Sequence, residues 1–412
     1  MEAVRGLIPD NGSCGVGGLP AAEGSTGWAA PHCRQKACVG PTWFPHWLQK
    51  GIYLSLRYAS RICSGKLPCR GHATILAMWK LRPAILLLAL AAILPAAGKL
   101  EIYCIDVEGG KATLWVSPSG DSMLVDAGWP GFNHRDADRI AAAAKAAGVR
   151  KIDYLVVTHF HADHAGGVPQ LAEKMTIRNF VDHGVDTETG QAAEVLYGEY
   201  SRVRDKGTHI VVKPGDKLPV KGLDVEIVSS DGALIASPLT GADQPNPACA
   251  GLKPASPDQT ENARSIGMVV TYGDFRAVDL GDLSGDKEYG LVCPDNKLGT
   301  VRLFMVSHHG TDANSPALVD ALHPQVAIMN NGARKGGSAE VWQTVHDSPG
   351  LEDFWQLHYA IAAGKDHNSP DPFIANIDED CAGDWLKVTV EKDGTFTVYN
   401  QRNKFEKTYK RQ

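Results

Sequence analysis

Six residues constrain this chain more than any other stretch: His159-Phe160-His161-Ala162-Asp163-His164 packs three imidazoles and a carboxylate together. They follow residues 151–157, Lys-Ile-Asp-Tyr-Leu-Val-Val, an apolar run of buried-strand type, with Thr158 between. On a helix, residues two apart point to nearly opposite sides, so His159 and His161 would diverge. On an extended loop at a strand's end, positions i, i+2 and i+4 converge, and i+5 adds an adjacent direction. Such an array suits a pair of metal ions better than one, and imidazole and carboxylate are donors that zinc accepts in catalytic sites. The helical His-Glu-x-x-His arrangement is different, with two His on one face at i, i+4. Whatever the fold, it must deliver this cluster from the C-terminal end of a strand.

The chain around the cluster mixes short strands with helices. Residues 101–107 and 111–116 read as strands joined by a Gly109-Gly110 turn, and 122–125 as another, ending at Asp126-Ala127-Gly128. Residues 136–147 are Ala-rich, follow the capping-type Asn133 and stop at Gly148, which predicts a helix. Gly166-Gly167 opens a second helix through Leu171 to Lys174. Strand-like runs return at 211–228, 266–272, 275–280, 301–306 and 325–329, with a helix over 316–322. A last hairpin over 386–400, turning at Asp393-Gly394, is expected to complete the second sheet. Strands in runs with helices between them imply two sheets with helices packed outside. Residues 231–260, rich in Pro, Gly, Ser and Asp, form a long loop.

Thr158-His159-Phe160-His161-Ala162-Asp163-His164-Ala165-Gly166-Gly167 resembles the signature of the metallo-β-lactamase superfamily, and the resemblance extends over residues 100–345. It implies an α+β fold, a four-layer αββα sandwich, with a two-metal site between the loops of the sheets. Further pieces follow in the family's order. Leu124-Val125-Asp126-Ala127-Gly128 resembles an early turn whose Asp126 supports the ligands from behind. Asp182-His183-Gly184 stands where the family places a third His for the first metal. Asp279-Leu280-Gly281-Asp282 implies Asp282 as the carboxylate shared by both metals, with Asp279 as the alternative. Val306-Ser307-His308-His309-Gly310-Thr311 resembles the motif that supplies the last ligand. Either His308 or His309 fits that role; His308 is favoured, with His309 supporting it or contacting substrate.

Carried over, His159, His161 and His183 would hold one ion, and Asp163, His164 and His308 the other, with Asp282 shared. The implied cofactors are two divalent ions, zinc first, with manganese or iron as alternatives. A hydroxide held between them would be the nucleophile, with Asp163 orienting or deprotonating it. No Gly-x-Ser-x-Gly elbow lies near the cluster to supply a side-chain nucleophile.

Within the superfamily, the His-His-Gly form and residues 105–110 most resemble the hydrolase domain of bacterial competence (DNA-uptake) proteins. The chain departs from them where a Gly-Gln-Gly-Asp run becomes Glu108-Gly109-Gly110-Lys111, and where a Tyr-Gly-His-Pro stretch becomes Lys335-Gly336-Gly337-Ser338-Ala339. Residues 99–412 hold 31 Lys/Arg against 44 Asp/Glu, a net charge of −13 that repels phosphate backbones. Nucleic acid is therefore disfavoured, and the expected substrate is a small or exposed phosphoester or phosphodiester. The alternatives are acyl-bond hydrolysis of the lactamase or lactonase kind, and a metal-stabilised binding module without catalysis. Arg334-Lys335 reads as an anion contact or as a solvated turn, and His346, His358 and His367 as ordinary histidines.

Residues 1–98 differ in character, with 10 Lys/Arg against 3 Asp/Glu and five of the nine cysteines. Met78-Trp79-Lys80-Leu81-Arg82, the apolar run 83–94 and the small residues Ala96, Ala97 and Gly98 have the layout of a signal peptide. The apolar run falls short of the roughly 20 residues a membrane span needs. The expectation is thus a signal peptide over 78–98, export to the periplasm or beyond, and no stable membrane span once it is removed. Residues 1–77 read as an over-extended gene start or a disordered extension, and 99–412 as the hydrolase domain with a C-terminal extension. Cys33-x4-Cys38 and Cys63-x5-Cys69 lack the paired spacing of structural zinc sites. In an exported chain the remaining cysteines can pair, Cys249 with Cys293 being one guess.

Overall fold

The computed structural model describes residues 98–411. The expected signal peptide up to Ala97, and the segment before it with its cysteines, lie outside the described residues. The described chain opens with β1 (Leu100–Cys104), β2 (Thr113–Val116), β3 (Ser122–Val125), helix α1 (Arg135–Ala146) and β4 (Lys151–Val156). Two short helices, α2 (Ala162–Ala165) and α3 (Val168–Lys174), precede β5 (Thr176–Asp182), α4 (Gln191–Arg204) and β6 (Thr208–Val211). Next come β7 (Lys217–Leu218), β8 (Asp224–Ser230), β9 (Ala233–Leu234), β10 (Gln244–Pro245), β11 (Gly267–Tyr272) and β12 (Phe275–Asp279). Helix α5 (Gly285–Val292), β13 (Asp295–Asn296), β14 (Leu303–Met305), α6 (Pro316–Leu322), β15 (Val326–Met329) and α7 (Ala339–His346) follow. The chain ends through β16 (Asp353–His358), β17 (Ile374–Asn376), β18 (Leu386–Val390), β19 (Phe396–Asn400) and β20 (Glu406–Tyr409).

Two nine-stranded sheets result. One runs β20-β19-β18-β1-β2-β3-β4-β5-β6, the other β17-β16-β15-β14-β12-β11-β8-β7 with β9 beside β8. Because successive strand residues face opposite sides, each sheet presents two apolar faces. Ile102, Trp115, Val125 and Val156 of the first sheet share a core with Met268, Val270, Leu303 and Ile328 of the second. The alternate residues Leu114, Leu124 and Leu155 pack with Ile140 of α1 and Leu171 of α3. On the far side Val278, Phe304 and Ala327 pack with Leu291, Leu318 and Trp342 of α5, α6 and α7. The layers are helix, sheet, sheet, helix, which is the expected αββα sandwich. Trp115 and Trp355 are the largest fully buried side chains of the middle layer. Truncating either to Ala would cost about 3–5 kcal/mol.

Three local expectations need correction. The C-terminal hairpin turns at Asp393-Gly394 as predicted, but it joins the first sheet: β18 pairs antiparallel with β1, Leu100 opposite Val390. The unpaired edge of β1 accepts it, and Leu386, Val388 and Val390 enter the core between the sheets. The first hairpin closes earlier than predicted, since pairing stops at Cys104 and Thr113 and leaves 105–112 as a wide turn. Asn133 makes no side-chain cap; the residue preceding α1 is His134, in left-handed conformation. Within the long loop, Cys249 forms a disulfide with Cys293, tying it to the end of α5. Among the described residues no helix is long and apolar enough to cross a membrane.

The site follows from strand direction. Strands β3, β4 and β5 are mutually parallel, as are β12, β14, β15 and β16. Their C-terminal ends therefore carry Asp126, 158–164 and 182–183 from one sheet, and 279–282 and 306–309 from the other.

Candidate metal centre

The backbone approaches that assemble the centre leave no room for side chains at key points. Lys111 N donates to Asp163 O at 3.0 Å, and a Cβ on Gly110 would come within 2.6 Å of the same oxygen. Gly281 has φ +60°, and a Cβ there would meet Thr158 at 3.0 Å. Glycine at both positions lets the turns of the two sheets close on the loop 158–164.

Four donors converge at the centre: Asp163, His164, Asp282 and His309, all buried. His309 Nε2 lies 3.1 Å from Asp163 Oδ2, 3.2 Å from Asp282 Oδ2 and 3.1 Å from His164 Nε2. His164 Nε2 lies 3.1 Å from Asp282 Oδ2 and 3.4 Å from Asp163 Oδ2. Beside them, His159 Nε2 and His161 Nδ1 face each other at 2.9 Å. The other nitrogens are tied back: His161 Nε2 to Glu188 at 2.9 Å, His159 Nδ1 to the Thr158 hydroxyl at 3.1 Å.

Asp126 lies behind the centre, accepting from Thr158 N and Thr158 Oγ1 at 2.8 Å each and from His164 Nδ1 at 2.8 Å. Asp279 stays outside the donor set. Its carboxylate holds the buried Lys111 ammonium and accepts from Gly281 N at 3.1 Å. Asp282 is thus the carboxylate delivered to the centre.

The structure reverses the expected order of His308 and His309. His309 enters the donor set, and its Nδ1 donates to Asn330 O at 3.1 Å. His308 stands at the rim, its Nε2 3.8 Å from Asp282 and its Nδ1 2.6 Å from Asp312. The reason is backbone conformation: φ is +49° at His308 and +53° at His309. This left-handed double step turns His309 inward, and Asn314 brackets it by accepting from Ser307 N and donating to Ser307 O, each at 2.9 Å.

His183 does not converge with His159 and His161. Its Nε2 pairs with Glu261 Oε2 at 2.9 Å, while its buried Nδ1 has no partner. Glu261 also accepts from Phe160 N at 3.1 Å and from Thr187 N and Oγ1 at 2.9 and 2.8 Å. Burial alone would raise this carboxyl, but His183 and Thr187 hold it down near 2. Glu261 went unread in the sequence because it sits in an irregular segment with no period or motif around it. Lys335, read there as anion contact or solvated turn, pairs with Asp163 and lies 4.9 Å from the Trp129 ring centroid.

The donor chemistry fits divalent cations. Burial disfavours a charged His164, yet Asp282, Asp163 and Asp126 pull its pKa well above the ordinary value, so the pocket demands positive charge. Burial likewise opposes an ionised Asp163, but His164 and His309 hold its carboxyl far below the usual range. Asp282 Oδ1 is buried without a partner, as is His183 Nδ1. Unpartnered buried donors of this kind are costly unless a ligand satisfies them.

Residues 106–244 match the metallo-beta-lactamase superfamily profile. Asp282 and His309 lie beyond that stretch and are assigned by geometry. ComE operon protein 3 of Bacillus subtilis is 25% identical over 197 residues, 45% of this chain and 21% of that protein. Hydroxyacylglutathione hydrolase of Klebsiella pneumoniae subsp. pneumoniae is 36% identical over 78 residues, 19% of this chain and 24% of that enzyme. The chain thus spans less than a quarter of the length of these curated relatives. A metallo-β-lactamase from Cronobacter sakazakii superposes with a TM-score of 0.29 at 16% identity, covering 47% of this chain and 67% of that one. Residues 106–244 thus match the metallo-beta-lactamase superfamily, and the two-sheet sandwich with its donor set at the strand ends is the fold that match implies.

Proposed function

We propose that the chain is an exported hydrolase that uses two divalent cations, zinc before manganese or iron, and cleaves a small or exposed phosphoester or phosphodiester. The observation that carries this reading is Lys335, whose ammonium stands at the mouth of the donor set against Asp163 and beside Trp129. A cation there suits a substrate that arrives with negative charge. His159 and His161 would hold one ion, and Asp163, His164 and His309 the other, with Asp282 serving both. When bound, the ions supply Lewis acidity that activates water and polarises the scissile group.

The chain's own groups do the rest. Lys335 releases Asp163 and pairs with an anionic substrate oxygen. Asp163, freed of that partner, orients water and accepts its proton. Asp126 keeps His164 in one orientation. His308 Nε2, at the rim with Asn262 Nδ2 3.4 Å away, contacts the leaving portion of the substrate. The net charge of −13 beyond residue 98 speaks against nucleic acid as that substrate. Export rests on the signal-like segment 78–98 and agrees with the Cys249–Cys293 disulfide, since such bonds persist in oxidising compartments. Finding the natural protein in the cytosol with its segment 78–98 intact would refute export.

A second reading, acyl or thioester hydrolysis, is supported by the likeness to hydroxyacylglutathione hydrolase. The test compares initial rates of the zinc- or manganese-loaded chain on bis(p-nitrophenyl) phosphate, a lactone, a chromogenic β-lactam and an S-acyl thioester, with and without chelator. Chelator-sensitive phosphodiester turnover, with Lys335→Ala raising KM by about 10-fold through loss of one charge-assisted contact, is expected. Turnover of acyl substrates alone would replace this reading with the second. Full metal occupancy with no turnover on any of them would leave a binding module.

A further inference from the structure

A second group of metal-type donors lies outside the centre described above. Asp106 and Glu108 sit in the turn between β1 and β2, His358 ends β16, and Cys381 belongs to the connection from β17 to β18. Candidate donor atoms of the four all fall within 4.8 Å of one another. Asp106 and His358 are fully buried. His358 Nε2 is 2.8 Å from Asp106 Oδ1 and 3.3 Å from Glu108 Oε2. Cys381 Sγ is 3.9 Å from His358 Nε2, 3.4 Å from Asp106 Oδ2 and 3.5 Å from Glu108 Oε1. Ligands around one tetrahedral zinc, at bond lengths of about 2.0–2.3 Å, stand about 3–4 Å apart, and His358 Nε2 already stands at such separations from Asp106 Oδ1, Glu108 Oε2 and Cys381 Sγ.

Arg139 divides the labour of the two carboxylates. Its Nη1 donates to Asp106 Oδ2 at 2.8 Å and to Glu108 Oε1 at 3.0 Å. Each carboxylate thereby spends one oxygen on the guanidinium and turns the other, Asp106 Oδ1 and Glu108 Oε2, toward His358 Nε2. Two carboxylates and a thiolate carry three negative charges, and Arg139 supplies one positive charge. A divalent cation brings the balance to zero, and buried charge without such balance is expensive.

We propose that Asp106, Glu108, His358 and Cys381 form a metal site of their own, taking one zinc-class cation in a structural role. The N, S, O, O donor set excludes the hard cations calcium and magnesium, which prefer all-oxygen sites. Four protein ligands leave no open position for substrate, as in closed structural zinc sites. The ion would pin the turn 105–112 to the end of β16 and to the β17–β18 connection. That same turn backs Gly110 and Lys111 against Asp163 and Asp279, so the site braces the catalytic centre from behind. This inference is independent of the reaction proposed above.

The test uses the full chain, reduced and stripped of metal, titrated with cobalt(II). The catalytic centre offers no thiol, so a near-ultraviolet sulfur-to-cobalt absorption that disappears in Cys381→Ser reports the site described here. Zinc content is expected to fall by about one ion per chain in that variant. Glu108→Gln, altering a partly exposed side chain, is expected to keep the fold and release zinc to a competing chelator at least about tenfold more readily. Identical cobalt spectra and zinc content in the parent and Cys381→Ser would overturn the proposal and leave an ion-pair network closed by Arg139. Should Cys381→Ser fail to fold, unchanged zinc retention in Glu108→Gln would overturn it equally.

Discussion

Asp126 Oδ2 accepts a hydrogen bond from His164 Nδ1 at 2.8 Å, and both side chains are fully buried. The bond fixes the ring, leaving Nε2, which faces Asp282 and Asp163, as the nitrogen available to a metal. Thr158 locks the carboxylate from the other side through its amide and hydroxyl. Asp126 would therefore act on a bound metal through His164 rather than by touching it. Asp126→Asn is expected to weaken zinc retention and lower kcat/KM by about 10–100-fold, with circular dichroism unchanged. Competition with a chromogenic chelator measures it, and retention equal to the parent's would show that His164 needs no partner to be oriented.

The two adjacent histidines separate cleanly by substitution. His309 Nε2 touches Asp163, His164 and Asp282, while His308 Nε2 comes no nearer than 3.8 Å to Asp282. His309→Ala should remove one ion and reduce turnover by more than the roughly 10–100-fold expected for a supporting residue. His308→Ala should keep both ions in the catalytic centre and chiefly raise KM. Metal analysis beside steady-state rates decides between them; loss of an ion in His308→Ala alone would restore the order expected from the sequence.

How much of this was legible depended on whether the signal was local. The cluster 159–164 declares itself because its spacing suits only a strand-end loop, and the sandwich follows from strand runs separated by amphipathic helices. Asp126 and Asp282 were found by their place in a resembling pattern. His309 against His308 was not decidable, because the answer lies in two consecutive left-handed residues that the motif does not encode. Glu261 reaches His183 across 78 positions, and His358 reaches Asp106 across 252. Such pairings carry no periodicity, so only the folded chain reveals them. The C-terminal hairpin failed differently: its turn was readable, but which sheet had a free edge was a property of the whole topology.

The Cys249–Cys293 disulfide closes a loop of sequence separation 44 and fixes the irregular segment after β10 to the end of α5. Closing a loop of that length in the unfolded chain corresponds to about 4 kcal/mol in the chain-entropy estimate. The double variant Cys249→Ser/Cys293→Ser should lose up to this amount in denaturant unfolding, while metal retention at the distant donor set is preserved. Equal midpoints for parent and variant would show the loop to be held by its other contacts.

Glu288 of α5 gives the fold a pH dependence of definite sign. Its side chain is fully buried, and Oε2 accepts from Asn314 N at 2.8 Å. Burial pushes its carboxyl up to about 7 from an ordinary value of 4.5. The folded state therefore binds the proton more tightly than the unfolded state. Below pH 4.5 both states are protonated and Glu288 costs nothing; between pH 4.5 and 7 the unfolded state ionises first, and stability falls as pH rises. Above pH 7 the penalty is constant, at about 3 kcal/mol for a shift of this size. The measurement is urea unfolding of the chelated chain at pH 5 and pH 8, beside Glu288→Gln, whose amide cannot ionise. The variant should gain on the parent as pH rises, and a parent–variant difference that stays flat across this range would place the Glu288 pKa at its ordinary value.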